Sequence, residues 1–280
     1  MVSLRNVRKS FGRVVAVDGL SLDIHRGEVF GLLGPNGAGK STTLAMMVGL
    51  LAPDSGEIRV DDRAPTNNRA RAGIGLAPQT LSIYDELSAR ENLDFFASLY
   101  GMSRRQRQTR AAELLEFVGL SDRANDRVRG FSGGMKRRIN LAVALVHDPT
   151  LILLDEPTAG VDPQSRNAIF EIVATLRARG RTIVYITHYM EEVQRLCTRA
   201  GIIDHGKLLA IDSVESLIKA HGGQSIVRVE RTGGCEEYLT DSALSVLTSV
   251  LATGDALSVH IDRPDLGSVF LNLTGRCLRD

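Results

Sequence analysis

Cysteine is scarce in this 280-residue sequence: Cys197, Cys235 and Cys277 share no metal-ligand spacing and form an odd set. That excludes a cysteine-built metal site and a disulfide framework, and it suits a reducing compartment. Charge of one sign is lacking too. With 34 basic against 33 acidic side chains the formal net charge is +1, which excludes a global field for nucleic acid or anionic lipid. Local basic clusters occur at Arg104, Arg105, Arg107 and Arg110, and at Lys136, Arg137 and Arg138; the first reads as a solvated helix face. No apolar run approaches the roughly 18 residues of a membrane span. The opening segment, Met1 to Arg8, has no apolar stretch of the signal-peptide kind. The chain is therefore expected to carry no leader and no span of its own, although a partner subunit could hold it at a membrane. Hydrophobic residues at 43% and charged residues at 24% exclude extensive disorder.

What is present begins with Gly34, Pro35, Asn36, Gly37, Ala38, Gly39, Lys40, Ser41 and Thr42, directly after the apolar strand candidate Glu28 to Leu33. Strand, glycine-rich loop and helix in this order match the nucleotide-binding loop of a P-loop ATPase or GTPase. The glycines let successive backbone N–H groups turn inward around a β-phosphate, and the helix opening near Lys40 adds the positive end of its dipole. Lys40 can reach the β- and γ-phosphates, and Ser41 is placed to ligate Mg²⁺. A guanine-reading Asn-Lys-x-Asp segment is missing, so ATP is expected in preference to GTP.

About 110 residues further on, Leu151 to Leu154 forms an apolar strand ending in Asp155 and Glu156. Such a strand can hold Asp155 near Mg²⁺ and turn Glu156 towards the γ-phosphate, where it would polarise the attacking water. Two more polar residues end strand candidates: Gln79 after Ile74 to Ala77, and His188 after Ile183 to Thr187. Ligands of open α/β sheets sit at the carboxyl ends of strands, so both are expected to converge on the γ-phosphate. His188 would hold Glu156 and the water; Gln79 would approach the water or Mg²⁺. Phe131, Ser132, Gly133, Gly134 and Met135 precede a long helix, with Ser132 at the cap position and two glycines exposing backbone donors. Since one loop already serves the nucleotide, this second phosphate-reading end suggests binding in trans across a two-fold dimer.

Strand candidates at residues 2–7 (edge-type), 20–24 and 57–60 flank the loop region, and residues 89–149 read as helical. The α/β alternation then resumes to a short hairpin near residues 202–211. Gly222 and Gly223 mark a linker, beyond which strand and helix signals suggest a small α+β appendage of about 60 residues. The expected division is 1–220, with a helical subdomain at about 88–149, and 221–280.

In its motifs the chain closely resembles the ATP-binding subunit of ABC transporters over about residues 2–211. Phe11 is similar to the aromatic residue that stacks on adenine, and Gly34 to Thr42 to the Walker A loop. Gln79 matches the Q-loop, Phe131 to Met135 the signature, Leu151 to Glu156 Walker B, Ala159 to Asp162 the D-loop and His188 the switch histidine. The resemblance implies an α/β P-loop NTPase fold with an ABC-type antiparallel β subdomain and a helical insert. It also implies ATP and Mg²⁺ as ligands, and an ATP-dependent homodimer that sandwiches nucleotide between Walker A of one copy and signature of the other. Coupling would run through the insert to a separate membrane permease, which would hold the chain at the cytoplasmic face of the cell membrane. The signature departs from the commonest form: Phe131 replaces Leu and Met135 replaces Gln, so a polar contact of that glutamine is lost. Leu81 to Leu93, the Met-ending signature and Val269 to Arg276 resemble the daunorubicin-type and nodulation-type drug or lipid exporters, whose permease is of the ABC-2 kind. The alternatives are an importer ATPase and, further off, a soluble ABC ATPase acting on DNA or ribosomes. For the latter, no coiled-coil arm, zinc cysteines or tandem ATPase domain is visible. The transported substrate is not encoded in such a subunit. Lys40→Ala is expected to remove most γ-phosphate stabilisation and with it hydrolysis, measured as phosphate release from Mg-ATP.

Overall fold

A computed structural model of the chain describes residues 1–275; Cys277 and the final residue of the Val269 to Arg276 motif lie outside the described residues. The chain divides into two units, Met1–Ile211 and Asp212–Asp280.

The first unit opens with β1 (Val2–Phe11) and β2 (Val14–Ile24), followed by β3 (Val29–Leu33), α1 (Lys40–Met47) and β4 (Ser55–Val60). Strands β1, β2 and β4 form an antiparallel sheet in the order β2-β1-β4. The edge strand expected at residues 2–7 is thus the central one. Its alternation breaks between Leu4 and Val7, where the pairing with β2 shifts register and Asn6 takes φ 48°. This bulge returns Val7 to the buried face alongside Val2 and Leu4, and its extra residue disguises a core strand as an irregular one.

After α2 (Asn68–Ala72) and β5 (Ile74–Ala77) come three helices of the insert: α3 (Ala89–Leu99), α4 (Arg104–Phe117) and α5 (Gly133–Ala144). Ser88 and Ser103 open α3 and α4 with capping boxes closed by Glu91 and Gln106, which satisfies backbone donors that a helix start leaves unpaired. The chain then returns through β6 (Leu151–Asp155), α6 (Pro163–Ala178), β7 (Thr182–Thr187), α7 (Met190–Leu196), β8 (Arg199–Asp204) and β9 (Lys207–Ser213). Six strands order as β5-β6-β7-β3-β8-β9, with parallel pairing from β5 through β8. Every residue of β3, β6 and β7 is buried, as expected of parallel strands covered on both faces. On one face Leu151, Leu153, Val184 and Ile186 share a core with Leu44, Met46 and Met47 of α1 and with the inner face of the antiparallel sheet. Helix α1 is therefore clamped between two sheets, and the loop before it inherits that rigidity. Parallel alignment brings the carboxyl ends of β3, β5, β6 and β7 to one edge, delivering Gly34, Gln79, Asp155 and His188 there.

The second unit contains α8 (Val214–His221), β10 (Ser225–Arg231), β11 (Gly234–Thr240), α9 (Ala243–Thr253), β12 (Ala256–Asp262) and α10 (Leu266–Thr274). Its antiparallel sheet, β11-β10-β12, buries Val227 and Val229 against Val250 of α9. Helices α8 and α10 pack together, with Asn272 Nδ2 donating to His221 O at 2.8 Å. Among the described residues no helix is long and apolar enough to cross a membrane. Leu153, fully buried in β6, tests the core: Leu153→Ala is expected to cost about 2–5 kcal/mol, read as a lower midpoint of chemical denaturation with an unchanged slope.

Candidate active site

The loop from Gly34 to Gly39 is shaped by close backbone approach. Gly39 precedes α1 in a left-handed conformation, φ 100°, and a Cβ there would fall 2.3 Å from Ala16 O. Only glycine fits both requirements. Lys40 is buried, and its Nζ donates to the carbonyls of Gly34 (2.6 Å) and Pro35 (2.9 Å). Burial pushes its ammonium below the ordinary value, against the opposing pull of the Glu156 and Asp155 charges.

Asp155 ends β6 with 6% exposure. Burial first, and the neighbouring Glu156 charge second, raise its carboxyl above the ordinary range; a hydrogen bond from Ser41 and the charges of Lys40 and Arg137 oppose the rise. Its Oδ1 is buried without a hydrogen-bond donor. A desolvated carboxylate oxygen beside a serine hydroxyl at the head of a helix is the hard oxygen set that Mg²⁺ takes, so the residues present fit that ion.

Glu156 adopts φ 47° while its amide donates to Ile186 O of β7 at 2.9 Å. A left-handed non-glycine residue costs of the order of 1–3 kcal/mol, a strain typical of functional positions. The turn presents the carboxylate to two partners: Gln79 Nε2 donates to Oε2 at 2.9 Å, and His188 Nδ1 lies 3.0 Å from Oε1, a hydrogen bond when that nitrogen carries the proton. Gln79, Glu156 and His188, from three different strand ends, thus meet on one carboxylate.

The segment carrying Gln79 is held by α5. Arg137 Nη1 donates to Gln79 O at 2.5 Å, and Asn140 donates to Pro78 O at 3.2 Å while accepting from the Ser82 amide at 3.0 Å. Lys136 Nζ reaches Asp85 Oδ1 at 2.9 Å. Burial lowers the Arg137 guanidinium from its ordinary value, with the Glu156 and Asp155 charges opposing. In the sequence Arg137 shows only as part of the basic cluster Lys136 to Arg138, and Asn140 carries no signal beyond its i+3 spacing from Arg137 on one helix. At the start of the same helix Ser132 is the N-cap and accepts from the Met135 amide at 3.3 Å. Gly134 abuts the first turn of α6, where a Cβ would come 2.0 Å from Ser165 Oγ. Ser165 is held in turn by Asp162, the cap of α6. Residues 133–134 therefore pack on the turn that follows β6. Phe11, at the end of β1, is 51% exposed, with Lys9 Nζ 5.8 Å from its ring centre. Its face is available to a planar base.

The family model described as "ABC transporter" matches residues 17–159. Among curated proteins, a linearmycin resistance ATP-binding protein of Bacillus subtilis (strain 168) is 43% identical over 311 residues, covering 100% of both chains. A Nod factor export ATP-binding protein I of Bradyrhizobium sp. (strain SNU001) is 41% identical over 296 residues, covering 98% of this chain and 96% of its own. Among solved structures, an ATP-binding subunit of an ABC transporter superposes with TM-score 0.71 at 28% identity, covering 79% of this chain and 93% of its own. A dimeric ATP-binding cassette in a post-hydrolysis state, bound to ADP and Pi, gives TM-score 0.70 at 29% identity, covering 76% and 98%.

The raised Asp155 carboxyl has a consequence for stability. Burial penalises its ionised form more than its protonated form, so its contribution worsens as pH rises through the unfolded carboxylate range towards its own higher value. Without nucleotide or Mg²⁺, Asp155→Asn is expected to melt higher than the parent at pH 7.5, by roughly 2–4 °C per kcal/mol relieved. The gain should shrink towards pH 4 in a thermal scan.

Proposed function

The chain belongs to the ABC transporter family and is an ATP-hydrolysing subunit of it; on that footing we propose that it powers export of a drug- or lipid-like amphiphile through a separate membrane permease. The export reading is supported by the relatives, one named for linearmycin resistance and another for Nod factor export. In this reading two copies close on ATP, each offering Ser132, Gly133 and Gly134 to the nucleotide held by the other copy's Walker A loop. A dimeric cassette among the structural neighbours supports the pairing. The permease holds the dimer at the cytoplasmic face of the membrane.

The same reading assigns the roles. Backbone amides of residues 36–42 receive the phosphates, and Lys40 exchanges its loop carbonyls for phosphate oxygens, which better satisfy a buried ammonium. Phe11 stacks on the adenine. Ser41, Asp155 and Gln79 would hold Mg²⁺, which would supply charge neutralisation at the phosphates. Glu156 orients and polarises the attacking water, and His188 holds Glu156 on the side opposite Gln79 while reaching the γ-phosphate. The observation that carries this assignment is the left-handed turn at Glu156, with Gln79 and His188 on separate carboxylate oxygens.

Glu156→Gln keeps the shape and removes the base. It is expected to bind Mg-ATP, to hydrolyse it at least about 100-fold more slowly, and to shift from monomer to dimer with Mg-ATP in size-exclusion chromatography with light scattering. Hydrolysis at the parent rate would reject Glu156 as the water-polarising residue, and a nucleotide-bound monomer would reject the composite site. Co-purification of the trapped dimer with an integral membrane permease checks the transport reading.

A further inference from the structure

Behind the Glu156–His188 contact lies a second carboxylate. Glu192, in the first turn of α7, is 1% exposed. Its Oε1 accepts from Thr158 Oγ1 at 2.6 Å and is ion-paired with Arg166, whose Nε lies 2.9 Å away. Its Oε2 accepts from Tyr185 Oη at 2.9 Å and from Thr187 Oγ1 at 3.1 Å. Thr158 stands two residues after Glu156, and Thr187 immediately before His188. Thr187 Oγ1 also accepts from the Tyr189 amide at 3.0 Å, pinning the turn that presents His188. The contacts close a ring: Glu156, Pro157, Thr158, Glu192, Thr187, His188 and back to Glu156. Burial, reinforced by the Glu192 charge, holds the Tyr185 phenol well above its ordinary value, so it stays a donor.

A desolvated carboxylate is a poor device for stability alone, since well-packed apolar side chains commonly do as well or better. What three hydroxyl donors and an ion pair on one carboxylate supply is fixed geometry. We infer that Glu192 is a positioning residue for hydrolysis: one oxygen anchors the segment after Glu156 and the other the strand end before His188, and together they set the distance between those two side chains. The inference rests on the roles proposed for Glu156 and His188. The sequence offers no pointer to Glu192, which reads as one of two adjacent acids on a short helix.

Thr158→Val is nearly isosteric and deletes one arm, whereas Thr158→Ser keeps the hydroxyl. Steady-state hydrolysis of Mg-ATP by the full chain is expected to show kcat lowered about tenfold in Thr158→Val with KM within about twofold, a loss in keeping with small displacements of reacting groups. Thr158→Ser is expected within about twofold of the parent in kcat. Thr187→Val removes the other arm and should act in the same direction, so the inference does not depend on the folding of one variant. Leu176→Ala, a buried aliphatic truncation in α6 remote from the ring, controls for stability: it should lower the melting temperature and leave kcat unchanged. Parental kcat in both valine variants, or a loss that tracks melting temperature and is equal in Thr158→Ser, overturns the positioning role. If Glu156→Gln assayed alongside hydrolyses at the parent rate, the premise itself fails; if it is inactive while the valine variants are not, only the role of Glu192 does.

Discussion

One ammonium and two carboxylates are held almost out of water at the carboxyl edge of the parallel sheet: Lys40, Asp155 and Glu156 are 5%, 6% and 7% exposed. Charges so placed are costly unless each finds a partner. Lys40 takes the loop carbonyls, Asp155 takes Ser41, and Glu156 takes Gln79 and His188. The sum is negative, and the half-buried Arg137 on α5 adds a further cation nearby. Much of the first unit can be understood as what keeps these groups in place. Strands β6 and β7 are buried along their whole length, α1 is clamped between two sheets, and the turn after β6 is braced by α5.

The parts legible in the sequence are those where the chemistry is local. A glycine-rich loop between a strand and a helix, or a strand of four aliphatic residues ending in two acids, fixes its own conformation and exposes its own function. The helices of the insert were equally plain, because their caps and apolar spacing are written within each segment. Contacts between segments were not. Arg137 and Asn140 matter because α5 lies against Pro78 and Gln79, some 60 residues earlier in the chain; Glu192 matters because α7 tucks beneath two strand ends. The bulge at Asn6 concealed the central place of β1, since one extra residue is enough to spoil a period of two. Strand β11 escaped because almost all of its residues are exposed and it shows no alternation to read. Helix α8 is hard to read because it is only eight residues long and ends directly at the glycine pair 222–223, whose turn signal outweighs so short a helical period.

The second unit is built differently. Its sheet rests on very few fully buried valines, and leucines at 239, 244, 251 and 257 remain exposed. A core of that size gives modest stability at best. Arginine pairs do part of the work at the sheet surface, Arg228 reaching both Glu237 and Asp262 across neighbouring strands; exposed ion pairs of this kind are individually weak and sensitive to salt.

The contact of Gly134 with Ser165 carries a lesson for mutational genetics. Gly134 is pressed against the first turn of α6 at a distance no side chain could occupy. A random-mutagenesis screen will therefore recover this codon as intolerant even in a background that never meets nucleotide. Its intolerance measures how tightly two helices of one molecule are packed. Second-site revertants should then fall at Ser165, where only glycine removes both the hydroxyl and the Cβ that a side chain at 134 would strike, and a suppressor map would trace the helix contact before it traced anything bound.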